Sequence, residues 1–167
     1  MREKRKEEHN IPPVELVTPA AMEYPAGLYM GKFLRELKEN GKLLAILCKK
    51  CKRIIFPPQC VCSICHAENL ENPKWVEVGP RGTLGGFMKI TMPSINPRNL
   101  ELRAFEYPIG TIIPDAPEGK YCSLWHLVGE PDVTKLKVGM RVEAVLKPKE
   151  ERIGLIEDIL YWKPIQE

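Results

Sequence analysis

Six cysteines occur in the 167 residues, and four of them fall into two C-x2-C pairs, Cys48-Lys-Lys-Cys51 and Cys62-Ser-Ile-Cys65. Two such pairs can present four sulfurs tetrahedrally to one ion at about 2.3 Å, an arrangement zinc accepts because its filled d shell imposes no geometry of its own. The spacing therefore predicts a structural zinc site with Cys48, Cys51, Cys62 and Cys65 as ligands. Iron in a rubredoxin-like site would use the same four sulfurs, and spacing alone does not separate the two metals. Four thiolates close the coordination sphere, so the ion has no open position for water or substrate. Its expected contribution is folding energy rather than Lewis-acid chemistry. His66 directly follows Cys65, and a neighbour in sequence rarely points at the same ion. Cys60, two residues before Cys62, is the more credible substitute, but the prediction stays with the paired knuckles.

Lys49, Lys50, Lys52 and Arg53 surround the first pair, and residues 40–67 hold five basic residues and no acidic one. Four thiolates on a divalent cation leave a formal charge of minus two, which nearby cations offset while helping to keep the thiols ionised. The functional alternative is a surface for phosphates, either of nucleic acid or of coenzyme A. No catalytic constellation accompanies the cysteines. Cys122 and His126 share a face of a predicted strand, but four residues along a strand span roughly 13 Å, too far for a nucleophile and its base. Asp115, Glu118, Glu157 and Asp158 are scattered among turns and strand ends and read as solvated. Gly79-Pro-Arg-Gly82 and Gly85-Gly86 lack the helix that a phosphate loop requires, so they read as turns and a barrel bend.

The elements that must position the cysteines can be read from periodicity. Residues 1–26, with Pro12, Pro13, Pro19 and Pro25, form an extended arm, because proline removes backbone donors and restricts its predecessor. In residues 27–39, Tyr29, Met30, Phe33, Leu34 and Leu37 recur at the spacing of one helix face, and Asn40-Gly41 supplies the stop. Residues 43–47 and 54–56 form a strand into the first knuckle and a return strand, which makes a zinc-ribbon hairpin. The polar stretch 66–73 reads as a loop. From Trp75 onward the chain is strand and turn: residues 75–78, 83–90, 107–113, 121–128, 141–146 and 154–162 are β-like, separated by Gly and Pro. In the fifth of these, Met140, Val142, Ala144 and Leu146 alternate with mostly polar neighbours, as a half-buried strand should. So many short strands in so few residues predict a small closed barrel of OB type. The expected fold is mainly β with an N-terminal helix, divided into an arm (1–26), helix plus zinc ribbon (27–73) and OB-fold barrel (74–167).

The composition is that of an ordinary folded protein, 44% hydrophobic and 28% charged with a net charge of +3. No apolar run of signal-peptide length follows the charged first ten residues, and none approaches the roughly 20 residues of a membrane span. A cytoplasmic location is expected, where thiols stay reduced and available to metal. Residues 74–163 carry 13 basic and 12 acidic side chains, which leaves no general basic groove for nucleic acid.

The ordered set of motifs resembles the DUF35 family. It comprises the helix ending in Asn40-Gly41, Cys48-x2-Cys51, Phe56-Pro-Pro58, Cys62-x2-Cys65, Trp75, Val138-Gly-Met-Arg-Val-Glu-Ala-Val145 and Tyr161-Trp-Lys-Pro164. The likeness covers residues 27–165 and implies a rubredoxin-like zinc ribbon joined to an OB-fold. It also implies a non-catalytic subunit in a hetero-oligomer with a thiolase-superfamily enzyme acting on acyl-CoA thioesters, the coenzyme A thioester being bound by that partner. Members of this kind include small subunits of archaeal thiolase complexes, of steroid side-chain aldolases and of benzylsuccinyl-CoA thiolase in anaerobic aromatic degradation. Only the four cysteine ligands carry over position by position. Cys60 and the segment 91–106, with Pro93, Pro97, Arg98 and Arg103, depart from the pattern. The helix face of residues 29–37 is expected either to dock on the enzyme or to pack on this chain's own ribbon. A nucleic-acid-binding ribbon and barrel module is the alternative function.

Overall fold

The computed structural model describes residues 24–69, 71–91, 93–95, 101–103, 106–118 and 123–165. The first 23 residues of the predicted arm, Cys122, Pro97 and Arg98 lie outside the described residues. Among the described residues, one α-helix, α1 (Gly27–Asn40), precedes ten strands. The first three are β1 (Leu43–Leu47), β2 (Ile54–Ile55) and β3 (Lys74–Val78), and they form an antiparallel sheet in the order β2-β1-β3. Phe33 and Leu37, four apart on α1, are completely buried, so the helix face packs on this chain's own core, as one of the two expectations held. Gly41 caps the helix, its N–H bonded to the Leu37 carbonyl at 3.1 Å.

The barrel strands are β4 (Arg81–Met88), β7 (Ile109–Pro114), β8 (Leu124–Leu127), β9 (Arg141–Leu146) and β10 (Ile159–Pro164). They hydrogen-bond in the order β10-β9-β4-β7-β8. A parallel bridge between Val128 and Trp162, with Gly129 N–H donating to the Trp162 carbonyl at 2.9 Å, joins the two ends. Numbering these strands one to five in chain order, the ring runs 1-2-3-5-4-1, the connectivity of an OB barrel. Between β4 and β7 the chain makes a separate two-stranded hairpin, β5 (Ser94–Ile95) with β6 (Leu102–Arg103), inside the segment that departs from the family pattern.

Two readings from the sequence are corrected here. Residues 75–78, grouped with the barrel strands, instead complete the ribbon sheet: Val78 pairs with Leu43 and Val76 with Ala45. The second half of the hydrophobic run 154–162 is strand, but its first half turns through a 3-10 segment, Ile156–Asp158, before β10 begins. The core is continuous across the two sheets: Phe33, Leu43 and Phe56 belong to the same cluster as Leu84, Ile112, Val142 and Trp162.

Gly82 marks a place where β4 and β7 approach too closely for a side chain. A Cβ there would sit 2.7 Å from the Ile113 carbonyl oxygen and 3.0 Å from the Pro114 Cα, both backbone atoms that cannot swing away. Gly82→Ala should therefore destabilise the barrel by about 2 kcal/mol. Gly86→Ala, where a Cβ meets nothing within 4 Å, should leave the thermal midpoint nearly unchanged. Equal melting of the two variants would contradict this packing.

Candidate metal centre

The two knuckles are built alike, and backbone hydrogen bonds explain the likeness. Cys48 N–H donates to the Arg53 carbonyl (2.8 Å) and Lys52 N–H to the Cys48 carbonyl (3.1 Å). In the second knuckle Cys62 N–H donates to Ala67 (3.0 Å) and His66 N–H to Cys62 (2.9 Å). Lys52 and His66 hold the same place in the two turns, and both have left-handed backbone, with φ of 59° and 55°. His66 is exposed. It serves as the turn residue of its knuckle, and it is not among the grouped ligands. Cys60 is likewise outside the group.

The sulfurs of Cys48, Cys51, Cys62 and Cys65 all lie within 4.8 Å of one another. Cys48 Sγ is 3.6 Å from Cys65 Sγ, and Cys51 Sγ is 3.7 Å from Cys62 Sγ. A tetrahedron with metal–sulfur bonds of about 2.3 Å has edges of about 3.8 Å, so the donor set fits a tetrahedral thiolate metal. Cys48 and Cys62 are buried, and Cys51 and Cys65 are half-buried.

Three of the thiols are shifted in opposite directions, because each acts on the ionisation of its neighbours. Burial pushes the Cys48 thiol up, but the backbone N–H groups of Cys51 and Lys50, with the neighbouring thiols, outweigh it and bring its pKa to about 6. Cys62 is lowered in the same way: burial opposes ionisation, and the N–H groups of Cys65 and Ile64 prevail. At Cys51 the Arg53 N–H lowers the pKa, yet burial and the surrounding thiols together raise it to about 11. The first ionisations thus oppose the later ones, a conflict that a divalent cation among the sulfurs removes.

Lys49, Lys50 and Lys52 are exposed and Arg53 is half-buried. The Lys49 ammonium donates to the Glu71 carbonyl, so one of the four cations braces the loop that follows the second knuckle. Arg53 lines a cleft of about 310 Å³ with Phe56, Gln59, Ile64 and, from the barrel, Ser123. His126 is half-buried, and burial holds its pKa below the ordinary value despite backbone hydrogen bonds at Leu127 and Ile156. Of the four acidic residues read as solvated, Asp115, Glu118 and Glu157 are exposed and only Asp158 departs from the reading. Asp158 is completely buried, Asp115 pairs with Arg141 and Glu118 with Lys74 (2.7 Å), while Glu157 is exposed. Asn69, in the stretch read as a polar loop, is only 1% exposed.

Residues 35–71 match the family model of the ChsH2 rubredoxin-like zinc ribbon domain. The match spans both knuckles of the ribbon and stops short of the barrel. Among solved structures the chain is similar to an Ltp2-ChsH2(DUF35) aldolase, at 21% identity and a TM-score of 0.51, covering 84% of this chain and 98% of that one. It is also similar to a DUF35-family protein of unknown function from Sulfolobus solfataricus, at 16% identity and a TM-score of 0.46, covering 80% and 83% of the two chains. No curated protein matches the sequence. The DUF35 resemblance is borne out by the ribbon match over residues 35–71 and by the fold shared with the Ltp2-ChsH2(DUF35) structure. No helix among the described residues is long and apolar enough to cross a membrane.

Proposed function

We propose that this chain is a non-catalytic accessory subunit of a thiolase-superfamily enzyme acting on acyl-CoA thioesters, with structural zinc on Cys48, Cys51, Cys62 and Cys65 holding the ribbon in shape. The observation that carries the reading is the joining of a ChsH2-type ribbon to a closed OB-like barrel, the fold it shares with the Ltp2-ChsH2(DUF35) aldolase. The chemistry agrees. A four-thiolate ion has no place for substrate, and the catalytic residues are assigned to the partner. The outer face of β4, β7 and β8 offers a partner apolar surface, with Trp125 66%, Met88 52% and Ile113 41% exposed. Lys50, Lys52 and Arg53 are the candidate contacts for the phosphates of a partner-bound coenzyme A. The finer reading is CoA-dependent thiolysis of a 3-oxoacyl-CoA in aromatic degradation, as in benzylsuccinyl-CoA thiolase.

The test is reconstitution. The isolated chain should turn over no acyl-CoA, should co-purify with a thiolase-like polypeptide, and should raise thiolysis by that polypeptide at least tenfold. A catalytic subunit that is stable and fully active without this chain would overturn the proposal.

A further inference from the structure

Asn69 stands where three segments meet. Its side-chain Oδ1 accepts the N–H of Lys49 at 3.1 Å, inside the first knuckle. Its Nδ2 donates to the Ala67 carbonyl at 3.2 Å, and that same carbonyl accepts the N–H of Cys62. Its backbone N–H donates to the Cys60 carbonyl at 2.8 Å, and its own carbonyl accepts the Tyr29 hydroxyl of α1 at 3.3 Å. The covalent path from one knuckle to the other is the ten-residue excursion through Pro57 and Pro58. The carboxamide is a direct path. It needs an acceptor on one side and a donor on the other, which asparagine supplies and aspartate, leucine or alanine do not.

We propose that Asn69 is the positioning residue of the metal centre. By tying Lys49 to Ala67 it holds the sulfurs of the second knuckle at bonding distance from those of the first. Swinging one knuckle away from the other must break the two carboxamide bonds of Asn69, a side chain only 1% exposed. Hydrogen bonds that orient metal ligands commonly change metal affinity by about 10–100-fold when removed. The inference rests on the zinc reading of the four cysteines.

The experiment uses the full chain loaded with zinc, and with cobalt as a spectroscopic reporter. Asn69→Ala should release metal to excess chelator about tenfold faster than the unaltered protein and should shift the cobalt visible bands. Asn69→Asp, which keeps the Lys49 acceptor and the volume but turns a second acceptor on the Ala67 carbonyl, should also release metal faster than the unaltered protein. Val142→Ala, a cavity in the barrel core away from the knuckles, should lower the melting temperature while leaving the release rate unchanged. Release from Asn69→Ala at the unaltered rate would overturn the proposal, as would equal acceleration by Val142→Ala. If Asn69→Ala does not fold, Asn69→Asp decides: faster release supports the assignment and an unaltered rate overturns it. An unaltered protein that binds neither metal would instead refute the zinc reading.

Discussion

Cys62→Ser should abolish zinc retention and melt the knuckles while the barrel stays folded. The reason lies in how little else holds that end of the molecule together. Among the described residues, the cluster beneath the knuckles has four buried apolar residues, Ile46, Cys48, Ile55 and Cys62, and two of these are proposed metal ligands. A core of that size cannot offset the conformational entropy of ordering the surrounding loop, about 1–2 kcal/mol for each residue. Structural zinc contributes about 10–16 kcal/mol in zinc-finger peptides, and a serine hydroxyl is a poor substitute for a thiolate. The base of the hairpin is different. Leu43, Leu47, Ile54 and Phe56 belong to the main cluster with Leu84, Ile112 and Trp162, and this packing does not depend on the metal. Amide exchange should therefore become fast through residues 48–53 and 59–69 and stay slow in residues 54–56 and in β4, β7 and β9. Chelation of the unaltered protein should give the same pattern. A variant that keeps a full equivalent of zinc, or one in which barrel and knuckles lose protection together, would contradict this division.

The residues readable from sequence were those whose partners are close in the chain. The spacing of Phe33 and Leu37 defined the helix face, Asn40-Gly41 its end, and the alternation of Val142, Ala144 and Leu146 the strand that became β9. The four clustered cysteines were readable because two C-x2-C pairs encode their own local turns. Partners distant in sequence were not readable. Nothing in Trp75 to Val78 distinguishes a strand that pairs with Leu43–Leu47 from one that pairs within the barrel, since both environments demand the same alternation of apolar residues. The parallel contact of Val128 with Trp162 depends on the twist of every intervening strand. Polar residues gave the most misleading signal. Asn69 and Asp158 lie in turn-like stretches where the default is solvent, and only the fold supplies the backbone groups that permit their burial.

For Asp158 that permission is specific, and its removal should have a large effect with a characteristic pH dependence. The carboxylate accepts the N–H of Ile153 on Oδ1 (3.0 Å), and those of Gly154 (2.7 Å) and Leu155 (3.3 Å) on Oδ2. Three successive donors can converge because Gly154 takes a φ of 84°, making a backbone nest for an anion. The Lys147 ammonium lies 3.8 Å from Oδ1. The turn held this way joins β9 to β10, and Gly154 and Arg152 lie against α1 near Lys38 and Gly41, so the carboxylate braces both the barrel and its contact with the helix. Asp158→Asn replaces one acceptor oxygen with an amide that confronts backbone donors. The variant should lose about 3 kcal/mol, a fall of roughly 6–12 °C in melting temperature for a chain of this size. Burial alone would raise this carboxyl's pKa, but the three N–H groups and Lys147 reverse that and hold it below its ordinary 3.8. Its contribution is therefore fully present above the unfolded value and is lost as the pH falls through the lower folded one. The stability gap between the unaltered protein and Asp158→Asn should be constant from pH 7 to about pH 5 and should narrow below about pH 4. Denaturant titrations across that range provide the measurement, and a gap that widens in acid would show that the buried carboxyl is held protonated instead.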